Sequence, residues 1–82
     1  MIFLRAIHED EWSEIFATKI RRALIEQRLN QGQLAMMSGV SDSALSLYLR
    51  GERLPGVRAV INIAHALDMS VDELVDYGAD IF

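Results

Sequence analysis

The chain has 82 residues, 51% of them hydrophobic, with one Pro, no Cys and a formal net charge of −4. That length makes one domain near the lower limit for a self-sufficient core, and the composition suits helices packed on helices. Without Cys, disulfides and thiolate metal sites are excluded, and the opening MIFLRAI is too short for a signal or membrane segment before the acids Glu9, Asp10 and Glu11.

Residues 1–9 read as a short N-terminal arm, with Ile2, Phe3, Leu4 and Ile7 able to form a strand or to pack on the body or a second subunit. Asp10 is the expected N-cap of the first helix, with Glu11 and Glu14 in the turn where the helix dipole favours acids. That helix should run to about Arg28. Trp12, Phe16, Ile20 and Leu24 recur every fourth residue, and Ile15 and Ala23 widen the stripe to a core-facing band. Arg21, Arg22, Ile25 and Arg28 lie off that band.

The stretch Asn30–Gly51 carries the signals of two short helices joined at a tight corner. Asn30 and Gln33 have capping-box spacing, and Leu34, Ala35 and Met37 supply a small inward face. Gly39 suits the positive φ of a helix end, Val40 plugs the corner, and Ser41 caps a second helix reaching Arg50 and closed by Gly51. This is the helix-turn-helix order. On the second helix Ala44, Leu45, Tyr48 and Leu49 point inward, while Ser43, Ser46, Leu47 and Arg50 fall on the opposite arc, with Asp42 at the exposed first turn. A face of mostly short side chains ending in Arg can lie in a DNA major groove, which is about 12 Å wide.

Glu52–Gly56 is a loop. Val57–Leu67 is apolar on more than one side and is expected to lie centrally in the core. Ser70 and Glu73 form a second capping box, with Met69 and Leu74 placed as a hydrophobic staple. The last helix should be short, to about Tyr77, with Gly78 ending it and residues 78–82 forming an apolar tail. The domain proper is therefore 10–77. His8 and His65 have no ligand partners at metal spacing, no catalytic constellation is visible, and no cofactor, metal or small-molecule substrate is expected.

Charge is distributed unevenly. Residues 1–18 carry a net −3 and residues 59–82 a net −5, whereas residues 19–58, which span the helix-turn-helix, carry +4. An electrostatic footprint for nucleic acid would have to lie there.

At these residues the chain resembles the Cro/C1-type (lambda-repressor-like, XRE) helix-turn-helix family. The family pattern L-S-Q-x-x-L-A-x-x-x-G-V-S is matched by Leu29-Asn30-Gln31, Leu34-Ala35 and Gly39-Val40-Ser41. Arg50-Gly51, Pro55, and Ile63 to Ser70 with Leu74 follow in the family's order, so the likeness covers about Phe16 to Tyr77. It implies an all-α, compact five-helix bundle and DNA binding, usually as a two-fold dimer, in transcriptional repression or activation. It further implies that Gln31 contacts a phosphate and braces the recognition helix, and that Asp42, Ser43, Ser46 and Leu47 hold base-reading positions. Arg50 and Arg53 would contact phosphates, which set register rather than sequence.

Three departures from the family stand out. Asp42 and Leu47 replace residues that are often Gln or Arg. Asp42 can only accept, so it could take a cytosine N4 donor but would repel a nearby phosphate, and readout could lean on DNA shape. Leu24 and Leu49 occupy positions where members commonly carry an Arg–Glu ion pair, and a lone charge there would cost roughly 3–5 kcal/mol. Asp68 replaces a Gly, which Asp tolerates because it visits the left-handed region better than most residues.

The leading expectation is a small cytoplasmic DNA regulator, probing double-stranded DNA as a homodimer, of the kind carried by phages, restriction-modification systems or mobile elements. Its length leaves no room for a separate sensor or self-cleaving domain, and its Met start favours a whole protein. Dimer contact is expected from the terminal helix and tail, through Val75, Tyr77, Ile81 and Phe82. The alternative is a protein-interaction module on the same fold, an antitoxin-like partner or a regulatory domain of a larger protein, with weak or non-specific DNA binding. A regulatory protein partner is then expected, and Leu47 with the apolar ends favours some protein association.

Overall fold

The computed structural model describes residues 9–75, with side-chain surroundings from residue 11 to residue 74. Among them are five helices and no strand: α1 (Glu9–Gln27), α2 (Gln31–Ser38), α3 (Asp42–Leu49), α4 (Val57–Ala66) and α5 (Val71–Val75). The expected arm (except Glu9), the helix end at Tyr77 and the tail lie outside the described residues. Asp10 does not cap α1. It stands inside the helix, which already includes Glu9.

The helix contacts close a ring: α1 packs on α3 and α5, α2 packs on α3 and α4, and α4 packs on α5. Every helix sends a large side chain fully out of water into one cluster, among them Phe16, Ile20, Leu34, Leu45, Ile63 and Leu74. Each such burial stabilises the fold by roughly 1.5–3 kcal/mol. An aromatic chain fastens α1 to α3. Trp12 stacks on Phe16 with centroids 5.3 Å apart, and Phe16 meets Tyr48 edge-on at 6.4 Å. Leu24 and Leu49 are both buried in the same cluster, so apolar packing occupies the place where the family carries its ion pair.

Two packing expectations are corrected. Met37 is 52% exposed, and Ser38 takes the inward position instead. Ser38 lies four residues after Leu34, one full turn on, and its hydroxyl accepts the Val40 N–H at 3.2 Å. A short polar side chain that satisfies the corner fits where a longer Met would not. Second, α4 is not central. Val60, Ile63 and Ala64 form a single buried stripe that Leu67 continues just past the helix, while Val57 is 77% and Ile61 49% exposed.

The helix ends follow one chemistry. Gly39 (φ 73) and Gly51 (φ 71) take the left-handed conformation, and so do the non-glycine residues Arg28 (φ 57) and Asp68 (φ 56). At Arg28 the Leu29 N–H reaches the Leu24 carbonyl at 2.9 Å, and at Asp68 the Met69 N–H reaches Ala64 at 2.9 Å, the crossing bonds of Schellman ends. An L-residue in this region costs roughly 1–2 kcal/mol, part of which glycine recovers. Asp68→Gly should therefore raise stability by about 0.5–1 kcal/mol, a few degrees in a thermal melt. A lower melting temperature would show that the Asp68 side chain contributes more than its backbone costs.

The second capping box is present. The Ser70 N–H donates to Glu73 Oε1 at 2.8 Å, and the Glu73 N–H donates to Ser70 Oγ at 3.0 Å. Met69 is partly buried against the cluster and Leu74 fully buried, as a staple requires. The Ser70 main-chain bond, aided by its side chain, holds the Glu73 carboxyl below its ordinary range. A depressed acid stabilises the fold above its unfolded pKa, and that contribution disappears as pH falls through the lower folded value. Glu73→Gln should thus melt below the parent at neutral pH and converge with it in acid. A gap independent of pH would assign the effect to packing.

Candidate nucleic-acid interface

The corner is built as its residues dictate. Asn30 Oδ1 accepts the Gln33 N–H at 2.8 Å, and Gln33 Oε1 accepts the Asn30 N–H at 2.8 Å, so both orphan donors are satisfied. The Gly39 N–H returns to the Ala35 carbonyl at 3.0 Å, and Val40 is half-buried against the cluster. Ser41 then caps α3, its Oγ accepting the Ala44 N–H at 3.1 Å. These caps fix where α3 starts and how it is aimed.

Leu45, Tyr48 and Leu49 bury one side of α3, and Ala44 is half-buried beside them. Asp42, Ser43 and Arg50 stand exposed on the other side. Ser46 and Leu47 are half-buried, so Leu47 projects less freely than its register suggests. Arg53 is exposed in the loop beyond. Val75 closes α5 and its side chain is outside the described set, as are Tyr77, Ile81 and Phe82 entirely. The structure thus gathers Asp42, Ser43, Ser46, Leu47 and Arg50 on or beside α3.

Gln31 joins α2 to α3. Its Nε2 donates to Ser46 Oγ at 2.7 Å, to Asp42 Oδ1 at 3.1 Å and to the Asp42 carbonyl at 3.3 Å. The reverse amide orientation would set an oxygen against a carboxylate and a carbonyl, so the network fixes the orientation. The expected brace is therefore present. It also engages the whole NH2 group of Gln31 inside the protein.

Two ties were not legible in the sequence. The Arg21 guanidinium donates to the Leu49 carbonyl, placing a cation at the C-terminal end of α3, where the helix dipole favours it. Gln27 Nε2 donates to the Leu67 carbonyl at 2.7 Å, joining α1 to the end of α4. Both residues lie off the apolar band, and spacing does not reveal which distant carbonyl a long side chain will reach. Arg50 pairs with Glu52 at 3.0 Å, but both side chains are more than half exposed, so the pair contributes roughly 0–1 kcal/mol and gives way readily.

A second surface is a groove of about 390 Å³ lined by Trp12, Pro55, Val57, Val60, Ile61 and Val71. It lies between α1, α4 and α5, whereas α3 is ringed by α1 and α2. Among the described residues no group of three or more His, Cys, Asp or Glu converges, and no helix is long and apolar enough to cross a membrane.

Residues 20–74 match the helix-turn-helix family HTH_3. The cryptic phage CTXphi transcriptional repressor RstR of Vibrio cholerae is 38% identical over 60 residues, 68% of this chain and 54% of the relative. An uncharacterised HTH-type transcriptional regulator of Bacillus subtilis, YqaE, is 30% identical over 61 residues, 74% of this chain and 53% of the relative. The matched part is thus about half the length of these two curated relatives. Among solved structures, the restriction-modification controller protein C.AhdI from Aeromonas hydrophila superposes with a TM-score of 0.72 at 29% identity, covering 76% of this chain and 94% of that one. An HTH_3 family regulator from Vibrio cholerae shares the fold, with a TM-score of 0.81 at 20% identity over 90% of this chain and 42% of that one.

Proposed function

Since this chain belongs to the HTH_3 (Cro/C1-type) helix-turn-helix family of transcriptional regulators, we propose that it is a sequence-specific repressor that inserts α3 into the major groove as a dimer. The observation that carries this reading is the braced α3. Its outer face holds short side chains and ends at Arg50, and Gln31 fixes its distance from α2. Asp42, Ser43, Ser46 and Leu47 take the base edges, while Arg50 and Arg53 take phosphates, Arg50 by leaving Glu52. With its amide engaged, Gln31 meets a phosphate through its main-chain N–H at the first turn of α2. The likeness to a phage repressor and to a restriction-modification controller supports action in the cytoplasm, on a mobile or defence element.

The dimer uses the apolar groove. Val57, Ile61 and Val71 are exposed apolar side chains converging on one site away from the reading face, and a two-fold contact would bury them twice. Reading two half-sites one turn of DNA apart requires the two α3 helices to stand about 34 Å apart.

Selection from random duplex DNA at two salt concentrations tests the reading. An enriched palindrome with half-sites one turn apart is expected. The double substitution Arg50→Ala with Ser43→Ala should reduce binding to that site by a factor of at least ~100, because it removes one phosphate bond and one base bond from each of two half-sites. Salt-sensitive binding without a motif would reduce the function to backbone attachment. Absence of binding at low salt would leave the protein-interaction module as the reading.

A further inference from the structure

The clamp between Gln31 and Asp42 sits at the first turn of α3. A primary amide has two N–H donors, and those of Gln31 are directed to Ser46 Oγ and to the Asp42 carboxylate and carbonyl. The Asp42 side chain is exposed yet held through Oδ1, leaving its second carboxylate oxygen as an acceptor-only group at the start of the helix. An anchored acceptor discriminates where a free side chain would turn to whichever partner it met.

In the major groove guanine shows acceptors at O6 and N7, and thymine shows an acceptor at O4 and a methyl. All of these repel or fail to bond a carboxylate. Adenine offers a donor at N6 but sets the N7 acceptor beside it, which opposes an anion. Cytosine offers the N4 donor with only a C–H beside it on its own ring and a single neighbouring acceptor, the O6 of its paired guanine. Adenine N6, by contrast, lies between N7 and the paired thymine O4. We infer that Asp42, positioned by Gln31, makes cytosine the required base at one position of each half-site. The inference rests on the DNA-binding reading above and adds the identity of one contact to it.

The test runs the random-duplex selection on the full chain in two forms, the parent and Asp42→Asn. The substitution is nearly isosteric, and a matching circular-dichroism melt establishes that both forms are folded. In the parent, cytosine should be enriched at one position of each half-site by about tenfold over any other base, the discrimination of one good contact. In the variant, Gln31 still engages the side-chain oxygen, so the new amide turns its NH2 outward. The preference should leave cytosine for a base presenting an acceptor, with the rest of the motif unchanged.

The same motif from both forms would overturn the inference while leaving sequence-specific binding intact. So would a parent motif with no cytosine position that responds to the substitution. Failure of the parent to bind any duplex would instead overturn the DNA-binding reading and the inference with it. Gln31 is a positioning residue in this scheme, and it has its own readout. Adding Gln31→Ala to Asp42→Asn frees the amide to bond both N6 and N7 of adenine, so adenine should replace the acceptor-bearing preference. A merely structural brace would weaken binding without changing the preferred base.

Discussion

Leu24→Arg is expected to unfold most of the molecules at room temperature. Leu24 is only 8% exposed and belongs to the single core cluster, with Leu49 of α3 in the same cluster at 8%. A guanidinium there would be buried without a partner, at roughly 3–5 kcal/mol, before the missing Leu packing is counted. A domain of this size holds about 4–12 kcal/mol in total, so little would remain. The family's own solution predicts the rescue. Adding Leu49→Glu should restore a cooperative melt and most of the helix signal, because α1 packs directly on α3. A single variant that melts like the parent would mean that water reaches position 24. A double variant no better than the single would mean that the two positions do not face one another.

Ile61→Asp should convert the proposed dimer to a folded monomer and cost about a hundredfold or more in affinity for the proposed palindromic site. Ile61 is half exposed on α4 and lines the apolar groove, so a carboxylate there is solvated in the monomer and buried in the proposed dimer. Helicity and melting of the monomer should change little. The affinity loss follows from avidity, because the second half-site is bound at the high effective concentration set by the first, a gain of roughly 10²–10⁴. Sedimentation reads the mass, twice 9.2 kDa for the parent and once for the variant. A variant that still sediments as a dimer would return the contact to the terminal tail. A parent that is monomeric at all concentrations would remove the dimer from the function.

The corner and the last helix were legible because their signals are local. Asn30 with Gln33, Ser41 with Ala44, and Ser70 with Glu73 act over three residues, which the sequence orders directly. The joint change at Leu24 and Leu49 was legible for a different reason, since a core tolerates that departure only in pairs. Met37 and Ser38 show the limit. Both lie about one turn after Leu34, and hydrophobicity chose the Met while corner geometry chose the Ser. Val57 and Ile61 misled in the same way, because apolar character marks a surface for burial without saying whether the chain or a second copy provides it. The outer side of α3 was placed by register, but the Gln31 brace was reached only through the family pattern. The Arg21 and Gln27 ties span 28 and 40 residues and depend on where α1 passes the ends of α3 and α4.

The closed ring of helix contacts has a consequence for how the domain can be joined to other sequence. Because α1 packs on α5, and Trp12 shares a groove with Val71, the first and last described helices lie against one another. Loss of either helix would therefore open the core at Phe16, Ile20 or Leu74, whereas sequence inserted in the Glu52–Gly56 loop would leave the ring of contacts closed.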